Sequence, residues 1–292
     1  MGKLLHLKKR DGKSNALADG RGEIFRRKRT NPIPSAGQRG YDPSMNEDLR
    51  TRQTIDRLLV AIESRDLRAV QAVLHPNATW QNVPHPAAKG RPAVMALLAN
   101  ILCWSDQVRW DVISSSVDGR VGWYERVDRF WLLGEEHAVQ CNGVFTVDPA
   151  TDTVCEVRDY VDLGEWRDRV TPVWQKLAAR SAEEVVLQHL SAVATRDPVA
   201  MTSDYALDAV LARPDAQHTG WSEIADYFET VPARLIDREL VFGDVKATDH
   251  HRAEVAWEIT GAEGRVASGR DEFVVTEGQI TQQRTSLESD DF

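Results

Sequence analysis

The sequence has little that would fasten it to a membrane, a metal or an oxidising compartment. Its three cysteines, Cys103, Cys141 and Cys155, form no CxxC pair and leave one without a mate. That pattern reads as free thiols in a reducing cytoplasm. No apolar run approaches the roughly 20 residues that span a bilayer. Leu4, Leu5 and Leu7 are too few for the apolar core of a secretory signal. His75, His85 and His137 show none of the spacing of a metal site. Positive charge is short everywhere but the N-terminus. Residues 1–45 hold eleven Lys/Arg against four Asp/Glu, a net of +7, while the whole chain stands at −9, so the remainder carries −16. An acidic body repels phosphate, so no nucleic-acid partner is expected beyond any contact made by the basic segment. That segment has too little apolar content to fold around and reads as a disordered extension.

What is present is a repeat. QTIDRLLVAIESRD (53–66) and EVVLQHLSAVATRD (184–197) place Ile55, Leu59 and Ile62 against Val186, Leu190 and Val193, an apolar stripe at helical spacing that ends in Arg-Asp. GRPAVMALLANI from Gly90 matches GWSEIADYFETV from Gly220. After each of these helices come long strand patterns, at 107–117, 121–133, 137–147 and 153–162, then at 238–247, 252–260, 266–276 and 279–287. Turn pairs such as Asp118-Gly119 and Glu277-Gly278 separate them. The predicted fold class is α+β, with two tandem cones, each of three helices on a strongly curved, mainly antiparallel sheet. The expected division is an extension at 1–45, a first cone at 46–165, a helix or linker at 166–180 and a second cone at 181–288. A fused pseudo-dimer, two independent cones and a homodimer all fit this pattern.

Within the first cone, Arg126-Val-Asp128 and Arg158-Asp159-Tyr160 stand in strand patterns. Alternation puts Arg126, Asp128 and Phe130 on one face, Val157, Asp159 and Val161 on another, and Trp80 with Asn82 on a third. If these rows face one cavity, two carboxyls flank one guanidinium and share a proton, leaving one as acid and one as base. Val139 and Cys141 add apolar wall and Trp166 a cover, which suits a small hydrophobic ligand. On spacing alone, a buried ion pair that fixes the sheet accounts for the triad equally well. Arg158, Tyr160 and Asp162 fall on the outer face as surface or contact residues.

Residues 124–163, YERVDRFWLLGEEHAVQCNGVFTVDPATDTVCEVRDYVDL, with NATWQNVPHPAAKGRPAV at 77–94, resemble the limonene-1,2-epoxide hydrolases. Their cone is shared with the nuclear transport factor 2-like superfamily. The resemblance implies one-step, cofactor-independent hydrolysis of a terpene-like or cyclic epoxide. Asp159 would be the base, Asp128 the acid and Arg126 the bridge, with Asn82 helping to hold the water. Trp80 stands where the family has a water-holding tyrosine; an indole donates one hydrogen bond and accepts none, so water would be held by Asn82, Asp159 and the Trp80 N–H in a different geometry. Asn82 and the RDYVDL context favour catalysis over a merely structural ion pair. Two other readings on the same cone are an isomerase or cyclase, where Asp128 or Asp159 takes a carbon-bound proton, and a non-catalytic binder narrowed by Trp80.

The second cone resembles only the wider superfamily, sometimes called SnoaL-like. Thr285 falls where Asp159 stands, and EVAWEIT (254–260) offers no Arg-x-Asp. Its Asp204, Asp208, Glu258 and Asp271 read as core or surface residues, and the cone as a structural partner or binding module.

Overall fold

The computed structural model describes residues 43–288, with side chains from Asn46 onward. The predicted extension therefore lies outside the described residues except for its last three, which begin α1 (Pro43–Glu63). Ile55, Leu58, Leu59 and Ile62 make the buried stripe of that helix. The repeated Arg-Asp has a local cause. Arg65 and Arg196 take left-handed conformations, φ 58° and 57°, that end α1 and α5 (Ala182–Thr195). Asp66 and Asp197 then cap α2 (Leu67–Val73) and α6 (Pro198–Ser203), accepting from the backbone of Arg68 and Ala69, and of Val199 and Ala200. Gly90 and Gly220, at φ 82° and 81°, repeat in the same way before α3 (Arg91–Leu102) and α7 (Trp221–Arg234).

The first sheet joins β1 (Leu74–Val83), β2 (Ala88–Lys89), β3 (Gln107–Asp118), β4 (Val121–Leu132), β5 (Glu135–Val147) and β6 (Val154–Val161) in the order β2-β1-β6-β5-β4-β3. The last four form the expected antiparallel meander, while β1 returns to lie parallel to β6, with Asn82 opposite Asp159. That parallel pairing, reached through α3 and the whole meander, curls the sheet round its helices. α4 (Leu163–Ala178) follows at once, starting earlier than the expected linker. Asp162, read as a surface or contact residue, accepts from the Glu165 backbone and caps this helix.

The second sheet contains β7 (Tyr205–Ala212), β8 (Gln217–Thr219), β9 (Glu239–Phe242), β10 (Lys246–Asp249), β11 (Arg252–Gly261), β12 (Gly264–Thr276) and β13 (Gln279–Leu287). Its order is β10-β11-β12-β13-β7-β8, with β9 also on β11 and β13 parallel to β7. The strand expected over 238–247 is two strands, because Gly243 steps out of line to donate its N–H to Ala256 O (2.8 Å). The two units are α+β cones in tandem, each a mainly antiparallel sheet with its helices.

The cones touch. Trp221 and Ala225 of α7 join the apolar core of the first cone, and Arg68 pairs with Asp226 at 2.7 Å. The β12–β13 turn lies on the end of α4, where Arg180 Nη2 donates to Gly278 O at 2.9 Å. Among the described residues no helix is long and apolar enough to cross a membrane.

Candidate active site

Strand alternation delivers the predicted rows to one cavity of about 650 Å³ in the first cone. Trp80, Asn82, Asp128, Phe130, Val139, Cys141, Asp159, Val161 and Trp166 all line it. Arg126 lies behind the two carboxyls at 1% exposure, with Asp128 at 6% and Asp159 at 5%. Its Nε donates to Asp128 Oδ1 at 2.7 Å and its Nη2 to Asp159 Oδ1 at 2.8 Å. The fork thus spans β4 and β6 across the intervening β5, joining residues that are not neighbours in either sequence or sheet.

Bridging over β5 requires that β5 have no side chain there. Gly143 faces Asp159 on one side and Tyr124 on the other, and a Cβ on it would lie 2.0 Å from Arg126 Nη1 and 3.0 Å from Asp159 Oδ1. This glycine, followed by Val144 and Phe145 on β5, is a positioning residue that sequence reasoning did not single out. The available signal was a glycine inside a long, otherwise apolar strand. Trp110 was also missed. It lies opposite Asp128 on β3, and Arg126 Cζ sits 4.2 Å from its ring centroid, so the guanidinium stacks on an indole face.

Burial dominates the electrostatics. It pushes the Asp128 carboxyl up to about 7, more than the Arg126 guanidinium pulls it down, and the Asp159 carboxyl adds to the rise. Burial also raises the Cys141 thiol, with the neighbouring carboxylates assisting, so Cys141 is apolar wall and not a nucleophile. For Arg126, burial works against the charge, but the two carboxylates outweigh it and hold the guanidinium cationic.

Trp80 behaves differently from its expected place in a water cage. Its Nε1 donates to Asp159 Oδ2 at 2.9 Å, so its one donor is engaged by the carboxylate itself. Asp159 therefore accepts at both oxygens. Asn82 is half-buried on the neighbouring strand, and its side-chain amide has no protein partner among the described residues. Trp166 tilts onto Phe130, ring centroids 5.3 Å apart, and closes one wall. Residues that alternation could not place complete the cavity: Leu97, Ile101 and Trp104 from the α3 side, Arg167, Trp174 and Gln175 from α4, and Glu277 from the second cone. Among the described residues, no group of three or more His, Cys, Asp or Glu side chains could hold a metal ion.

The fold and the buried Asp–Arg–Asp bridge define an α+β cone with two carboxyls and a guanidinium at the floor of its cavity. Residues 49–169 match the family described as the limonene-1,2-epoxide hydrolase catalytic domain, and residues 186–283 match the SnoaL-like domain. Both resemblances drawn from the sequence hold at that level. No curated protein matches the chain closely enough to count as a relative. Similar solved structures include an LEH-like epoxide hydrolase from M. tuberculosis, at 22% identity over 42% of this chain and 90% of that one, TM-score 0.36. A putative SnoaL-like polyketide cyclase from Shewanella denitrificans OS-217 aligns at 12% identity over 42% and 97%, TM-score 0.38. A nuclear transport factor 2-like protein of unknown function from Burkholderia pseudomallei aligns at 18% identity over 42% and 98%, TM-score 0.37.

Proposed function

We propose that the first cone is a cofactor-independent epoxide hydrolase acting on small hydrophobic, terpene-like or cyclic epoxides. The observation that carries this reading is the buried fork of Arg126, with one carboxyl on each arm at the floor of a mostly apolar cavity. A structural ion pair would be served by one carboxylate; here a second buried carboxyl is retained at a cost in desolvation. In the proposed step, water held by Asn82 and Asp159 attacks a ring carbon. The carbon–oxygen bond breaks, Asp128 gives its proton to the departing oxygen, and Asp159 takes one from the water. Atoms balance as epoxide plus water to a vicinal diol. The division of roles follows from surroundings: Asp128 holds a proton near neutrality, and Asp159 is pinned as an acceptor by Trp80 and Arg126.

The test is hydrolysis of a cyclic epoxide in ¹⁸O-labelled water, read as label in the diol. Asp159→Asn should lower turnover by at least about 100-fold, the usual weight of a positioned base, while its melting temperature stays near wild type. Retained turnover in that variant would refute the assignment. Unlabelled, rearranged product would favour an isomerase or cyclase on the same floor.

A further inference from the structure

The second cone keeps the sheet register of the first and changes what stands at each place. Gly143 faces Asp159 in the first sheet; at the matching place in the second, Asp271 faces Thr285. Two residues earlier, Cys141 lies opposite Arg126, whereas Gly269 lies opposite Trp257. The glycine that admits the large central side chain has moved with it, since a Cβ on Gly269 would lie 2.5 Å from the Trp257 ring. The inward carboxyl has accordingly moved one strand over, from the last strand to β12.

That carboxyl is not absorbed by packing. Asp271 is 9% exposed, and its Oδ1 has no hydrogen-bond partner among the described residues. The Thr285 hydroxyl and the Trp257 indole serve the carboxyl elsewhere, and burial raises its pKa against their pull. Asp271 lines a cavity of about 80 Å³, room for a compact molecule and not an extended chain. Phe228, Trp257 and Ile259 make part of its apolar wall, and Arg213 lies beside it, its Nη1 donating to Tyr227 OH at 2.6 Å. His189 contributes a second unpartnered buried atom, Nδ1, which is 3.6 Å from Asp204 Oδ2. An unpaired buried oxygen costs stability, and nothing in the packing of this cone requires one.

We infer that the second cone is a binding site for a compact, mostly apolar alcohol or phenol, whose hydroxyl donates to the free Asp271 oxygen. Nothing in this inference depends on epoxide chemistry in the first cone.

The experiment titrates the full chain with 4-fluorophenol and, separately, with fluorobenzene. Binding is read at the Trp257 indole N–H resonance, assigned with Trp257→Phe, so that occupancy of the first cavity is not mistaken for it. The phenol is expected to move that resonance and to bind at least ten-fold more tightly than fluorobenzene. Asp271→Leu should abolish the preference, because it removes the accepting oxygen. No movement at Trp257, equal affinity for the two probes, or an undiminished preference for the phenol in a folded Asp271→Leu would overturn the proposal. Should that variant fail to fold, the contrast between the two probes on the wild-type chain decides alone.

Discussion

Asp128 carries the clearest consequence at the scale of single residues. Its carboxyl ordinarily titrates near 3.8 and here is raised by burial to about 7. The folded state therefore holds this proton more tightly than the unfolded chain does. Its contribution to stability is greatest below 3.8, falls as pH rises towards about 7, and is flat beyond. Asp128→Asn removes that slope, so thermal denaturation at pH 5 and pH 8 should show the variant gaining on wild type at the higher pH. Catalysis has the same sign. As the acid loses its proton, kcat/KM for an epoxide should decline above about pH 7 in a pH–rate profile.

At the scale of elements, β5 decides whether the site exists. Because Gly143 is the gap through which Arg126 crosses, Gly143→Ala should displace the guanidinium. An overpacked core position costs about 1–3 kcal/mol; a urea titration would show this loss, and an epoxide assay a loss of turnover well beyond it. Strand alternation made the rows of Trp80, Asn82, Arg126, Asp128 and Asp159 legible in the sequence, since a period of two needs no tertiary knowledge. The helix stripes were legible for the same reason. Gly143 was not, because an absent side chain shows its purpose only when the neighbouring strands are in place. Nor was the engagement of Trp80 by Asp159, which depends on the parallel pairing of β1 and β6 and joins residues 79 apart in the chain. The split of 238–247 and the cap by Asp162 are local hydrogen-bond choices that compete with strand and surface readings of similar composition.

Across the whole molecule, the two cones form a shared wall. Glu277, at the tip of the β12–β13 turn, reaches the first cavity, and Gly278 beside it sits against α4 at φ 71°. A Cβ on Gly278 would lie 2.0 Å from the Leu177 carbonyl oxygen, backbone that has little freedom to yield. Gly278→Ala should thus lower the melting temperature and raise KM for the epoxide more than it lowers kcat. Steady-state kinetics beside a thermal scan would show the split. The repeat in the sequence announced two cones, but their contact could not be read there, because helical and turn patterns do not say that α7 and the β12–β13 turn of one cone meet the helices of the other.

One strand ties these scales together. β12 bears Asp271 on the floor of one chamber and runs, six residues later, into Glu277 at the rim of the other, a span of about 20 Å at the rise of an extended chain. Anyone who re-engineers either chamber along that ribbon is working on both, and variants picked for a new preference in one deserve a second assay in its neighbour.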